Sequence, residues 1–129
     1  MQTNGNNEGL KVLSALSEKR IFSRIECWVD LEVQGQRRDQ EFCDKVEALD
    51  LSLLGVGFER KDGGCEYDLG DTVTVAMQGL PAVDAKVRWN SGSRVGVQFC
   101  GRIQDILESW VGEVLAAQGV RVQDIFCHP

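Results

Sequence analysis

Three cations stand within six residues, Lys19-Arg20-Ile21-Phe22-Ser23-Arg24, in a chain whose net charge is −6. Arg20 and Arg24 are four apart, so on one helical turn, or on a coil that curls round a ligand, their guanidinium forks converge on one target. A planar fork matches phosphate oxygens or the edge of guanine through paired hydrogen bonds, whereas Lys19 adds only a point charge. Short charge runs also occur as merely solvated faces. What gives this one chemical meaning is a second stretch, Asp50-Leu51-Ser52-Leu53-Leu54-Gly55. Alone it reads as a bend, since Asp and Ser bond to nearby backbone and Gly accepts unusual angles.

These residues need a frame, and alternation supplies one. Ile25, Cys27, Val29, Leu31 and Val33 share one face of a first strand, with a turn expected at Gln34-Gly35-Gln36. A more polar second strand runs from Arg37 to Asp50, where Asp44 interrupts an apolar parity and marks an edge or a bulge. A third strand covers Val56 to Glu59, followed by a turn at Arg60-Lys61-Asp62-Gly63-Gly64 and a connector from Tyr67 to Asp71. Val73, Val75 and Met77 alternate in a fourth strand and Gln78-Gly79-Leu80-Pro81 turns. Val83, Ala85, Val87 and Trp89 alternate in a fifth, a hairpin loop follows at Asn90-Ser91-Gly92-Ser93, and Val95, Val97 and Phe99 form a sixth. Six short strands with Gly-rich turns indicate an antiparallel sandwich or barrel, and spacing alone does not choose. Ile103, Ile106, Leu107, Trp110, Val111, Val114 and Leu115 recur at three and four, predicting one amphipathic helix that ends before Gly119 and lids a barrel end.

Outside this frame, residues 1–17 read as a flexible polar tail in which Leu10, Leu13 and Leu16 allow a short helical turn. Residues 18–118 form the folded unit, and 119–129 a tail whose Val122, Ile125 and Phe126 either fold back or meet a second copy. At 129 residues the chain suits one domain with one core. The acidic balance argues against broad binding to nucleic acid or anionic lipid. The basic arm is a local exception, suited to a small anion rather than a long polymer.

Cys27, Cys43, Cys65, Cys100 and Cys127 are scattered and odd in number, so no disulfide framework is expected, and with one His, His128, near the end no metal site is expected either. No signal peptide or membrane-spanning apolar run is visible, which points to the cytoplasm and to no membrane insertion. No catalytic constellation is discernible, since Asp50 lacks a clear second carboxylate and the chain has one terminal His.

Arg-x-x-x-Arg before the first strand and Asp-x-Ser-x-x-Gly after the second together resemble the PilZ domain family, receptors for the bacterial second messenger cyclic di-GMP. The resemblance runs from about Lys19 to Trp110 and includes Leu80-Pro81-Ala82-Val83-Asp84-Ala85-Lys86-Val87-Arg88-Trp89 and Arg94-Val95-Gly96-Val97-Gln98-Phe99, similar to the last strand pair of such domains. It implies a mostly β fold, a six-stranded antiparallel barrel of the PilZ split-barrel kind with a C-terminal amphipathic helix.

It also implies that Arg20, Arg24, Asp50, Ser52 and Gly55 bind cyclic di-GMP. The arginines would take phosphate or guanine O6 and N7, Asp50 the N1 and N2 donors, Ser52 a base or phosphate atom, and Gly55 would let backbone approach. Lys19 and Trp89 are further candidates. Trp89 either stacks a base or, by its parity with Val87, joins the core. Lys19 stands where many relatives carry Arg, leaving one ligand or a stacked pair open. As a class the family suggests control of motility, adhesion and biofilm polysaccharide through a downstream protein partner, with no cofactor. The competing readings are a PilZ-like adaptor that works by protein contact without nucleotide, and a flavin-binding split barrel.

Overall fold

The computed structural model describes residues 24–37, 39–61 and 66–120. Lys19, Arg20, the N-terminal tail with its possible helical turn, most of the turn after Arg60 and the tail from residue 121 lie outside the described residues.

Six strands form: β1 Ile25–Arg37, β2 Gln40–Leu51, β3 Gly55–Arg60, β4 Thr72–Ala76, β5 Val83–Ser91 and β6 Arg94–Phe99. They close antiparallel into a barrel in the order β1-β2-β3-β6-β5-β4, with β4 returning to β1. Closure decides between the two all-β architectures that spacing left open. Alternation then does what a pleat requires. Leu31, Val33, Val46, Ala48, Val56, Phe58, Val75, Val87 and Val97 are buried inside, with polar neighbours such as Asp30, Lys45 and Lys86 facing out.

Several turns are displaced from the sequence-based expectation. Gln34-Gly35-Gln36 does not turn but continues β1. Gly35 sits opposite Phe42, and a Cβ there would come within 2.7 Å of the Phe42 ring, so this glycine makes room for a cross-strand aromatic. The reversal falls instead between Arg37 and Gln40, where Asp39 takes φ 66°. Asn90 and Ser91 likewise belong to β5, which leaves a two-residue loop with Gly92 at φ 63°. Asp44 lies just beyond the last β2–β3 pair, at an edge, and there it accepts the Tyr67 hydroxyl at 2.8 Å. Tyr67 meets Phe42 and Phe58 edge-on and fills this end of the barrel.

The expected single helix is two, α1 Ile103–Leu107 and α2 Trp110–Ala117. Ser109 breaks it. Its backbone is extended, its hydroxyl accepts from Val111 N at 3.1 Å as an N-cap, and it donates to Ile106 O at 2.6 Å. Gly112 allows the corner, because a Cβ there would lie 1.8 Å from the Leu107 carbonyl oxygen. The apolar stripe survives the break and packs on the barrel end where β4 and β6 finish. Trp110 Nε1 donates to Val75 O at 2.9 Å, and its ring meets Phe99 edge-on. α2 stops as expected at Gly119 (φ 85°), with Val120 N bonded to Leu115 O and Gly119 N to Ala116 O.

Cys27 faces the interior and illustrates how the barrel treats a polarisable group. Burial first, and the Asp50 carboxylate second, push its thiol up from 9.0 to about 11. Because the folded value is the higher one, the stability that this difference contributes is fully present below pH 9 and is lost as pH rises through the folded value. Urea midpoints between pH 8 and 11 should therefore fall more steeply for the native chain than for Cys27→Ala.

Candidate functional site

Arg24 immediately precedes β1, and Asp50 is the penultimate residue of β2. Antiparallel pairing sets Ile25 opposite Leu51 and Glu26 opposite Asp50, so the end of the cationic arm and the start of the acid-hydroxyl-glycine bend share one barrel rim. The Arg24 guanidinium donates to Asp50 Oδ1 as an ion pair. Both side chains are substantially exposed, so the pair is worth only about 0–1 kcal/mol. A ligand that offers a charge-assisted hydrogen bond, worth roughly 1.5–3 kcal/mol, is able to displace or share it.

The bend itself is tightly made. Ser52 N donates to Gly55 O at 2.9 Å, and Leu54 N donates to Ser52 Oγ at 3.1 Å. Ser52 is 3% exposed, so in this state its hydroxyl holds the turn. Gly55 then starts β3 hard against β6, where a Cβ would lie 2.2 Å from the Val97 carbonyl oxygen. No other residue type fits without moving backbone.

Next to the bend runs a row that the sequence reading did not identify. Across the outer face Asp50 is paired with Gly57, Gly57 with Gly96, and Gly96 with Trp89. The two central positions carry no side chain, and their neighbours lean over them. A Cβ on Gly57 would meet Asp50 Oδ1 at 2.9 Å, and one on Gly96 would meet Trp89 Nε1 at 2.1 Å. The result is a flat floor with a carboxylate at one side and an indole at the other. Outward glycines facing a cross-strand aromatic were the available signal, but they have meaning only once register is known.

Trp89 is on the outer face and 40% exposed, so its core alternative is set aside. The reason is local: register slips between Val87 and Trp89. A bulge breaks the parity that would have carried Trp89 inward with Val87. Arg24, Gly55, Arg88, Trp89, Gly96 and Gln98 line one cleft of about 290 Å³. A larger hollow, about 670 Å³, lies over the β1–β2 hairpin among Gln34, Gln36, Glu41 and Thr74. Its described lining offers one carboxylate, Glu41, where the smaller cleft offers two guanidinium groups, Arg24 and Arg88.

No family model matches this sequence, and no curated protein matches it. Arg24, Asp50, Ser52 and Gly55 thus meet at one rim with Trp89 on the adjoining wall, while Lys19 and Arg20 lie outside the described residues. Among the described residues no group of His, Cys, Asp and Glu is arranged to hold a metal, and no helix is long and apolar enough to cross a membrane.

Proposed function

We propose that this protein is a PilZ-type receptor that binds cyclic di-GMP at the rim shared by Arg24 and the Asp50–Gly55 bend, and passes the signal to a protein partner. The observation that carries this reading is the Arg24–Asp50 ion pair, which joins two motifs 26 residues apart in sequence. In this reading the arginines of the arm, Arg20 and Arg24, grip phosphate, and Asp50 receives the N1 and N2 donors of a guanine. Trp89 offers its face to a base beside the glycine floor. Ligand releases Arg24 from Asp50, which frees the carboxylate for the base as the guanidinium turns to phosphate. The protein acts in the cytoplasm without catalysis or cofactor, and Cys27, Cys43 and Cys100 are free thiols that suit a reducing compartment.

Calorimetric titration tests this. Arg24→Ala removes one or more charge-assisted hydrogen bonds, so affinity for cyclic di-GMP should fall about tenfold to a hundredfold. Unchanged affinity in Arg24→Ala would remove the arm from the site. A native chain that binds no cyclic di-GMP would leave the nucleotide-free adaptor as the better reading.

A further inference from the structure

The cleft beside the glycine floor holds a second cation that neither motif contains. Without the register slip between Val87 and Trp89, the pleat would send Arg88 and Trp89 to opposite faces. Here Val87 stays buried while Arg88 and Trp89, neighbours in sequence, are both exposed and both line the cleft with Arg24 and Gln98. The slip sets a guanidinium beside an indole on one wall.

The two cleft arginines differ in charge balance. Arg24 is neutralised by Asp50. Arg88 donates from Nε to Gln98 Oε1 at 2.8 Å, a neutral acceptor, and among the described residues no carboxylate stands within ion-pair distance of it. Gln98, on neighbouring β6, is itself a cleft residue. A fork held through Nε keeps both terminal nitrogens for a ligand, and being already oriented it loses less freedom when it binds.

From this we infer that Arg88 is an anion contact of the cleft, taking one phosphate of the bound dinucleotide through its terminal nitrogens while Gln98 fixes the fork. The inference rests on the cyclic di-GMP reading above. Phosphate is the group it fits, because Arg88 brings to the cleft a positive charge that no carboxylate among the described residues offsets, and the Trp89 ring beside it is the surface for a base. A cyclic dinucleotide carries two phosphates, so Arg24 and Arg88 would each serve one.

The test compares the native chain with Arg88→Gln and Arg88→Lys by calorimetric titration with cyclic di-GMP at low and moderate salt, after thermal unfolding shows that the exposed substitutions leave the fold intact. Arg88→Gln should bind about tenfold more weakly, as expected for one lost charge-assisted hydrogen bond, and its affinity should depend less on salt. Arg88→Lys, which keeps charge but not the fork, should fall between. Equal affinity and equal salt dependence in the native chain and Arg88→Gln would overturn the role of Arg88 while leaving the receptor reading standing. Absence of binding by the native chain would overturn both.

Discussion

Replacing Trp110 with alanine is expected to destabilise the fold by about 3–5 kcal/mol, the usual range for removing a large buried aromatic. Trp110 is 0% exposed, its ring packs on Phe99, and its indole N–H satisfies the Val75 carbonyl at 2.9 Å. Truncation removes all three at once and leaves a buried carbonyl without its donor. Against a total stability of roughly 5–15 kcal/mol, this is a large share of the margin. Thermal unfolding should show the midpoint lowered by more than about 10 °C. Trp28→Ala is the internal control: this indole is 67% exposed on β1, and its removal should shift stability by no more than about 0.5 kcal/mol. Similar losses for the two variants would mean that the helices do not seal the barrel as described.

Gly55→Ala is expected to have the second largest effect, from a single added methyl. Its Cβ would sit 2.2 Å from the Val97 carbonyl oxygen, and the obstacle is backbone, so β3 and β6 must separate. Overpacking of this kind costs about 1–3 kcal/mol, and here it also distorts the strand pair beneath the cleft. Gly57→Ala makes a useful contrast. Its nearest neighbour is Asp50 Oδ1 at 2.9 Å, an atom at the end of a side chain that can rotate away. Stability should change less at Gly57 than at Gly55, while ligand affinity should still drop because the carboxylate is displaced. Chemical denaturation of both variants beside cyclic di-GMP titrations separates these effects. Equal stability losses at the two positions would contradict the asymmetry between a carbonyl and a carboxylate.

Much of the barrel was legible because a strand with one buried face must alternate. Val83, Ala85 and Val87, or Val95, Val97 and Phe99, betray their elements by period alone. Closure was not legible, since it depends on β4 pairing with β1 through Gly35 and its neighbours, and no local pattern encodes a pairing that distant. Glycine caused the misplaced turn at Gln34–Gln36. The same residue type serves a reversal or a cross-strand aromatic, and only the position of Phe42 tells which. Trp89 defeated parity because a bulge inserts one residue without a compositional mark. The helix break comes from Ser109, a residue type favoured as an N-cap, and the apolar stripe continues across it, so periodicity alone reads as one helix.

For the site, motif resemblance put Arg24 and Asp50 at one ligand, and antiparallel register explains why they touch. The floor of Gly57 and Gly96 was invisible, because its meaning lies in which residues stand opposite one another across four strands. Arg88 was passed over for a related reason. In an alternating strand it reads as one more outward charge, until the bulge places it beside Trp89.

Titration of the isotopically labelled chain with cyclic di-GMP, followed by the amide and indole resonances, shows directly whether the dinucleotide sits at this rim. The largest shifts are expected on Arg24, on Asp50 to Gly55, on Gly57 and Gly96, and on the Trp89 indole, with little change over the β1–β2 hairpin around Gln36 and Glu41. Absence of shifts at ligand excess, or shifts confined to the hollow over that hairpin, would contradict a receptor site at the rim.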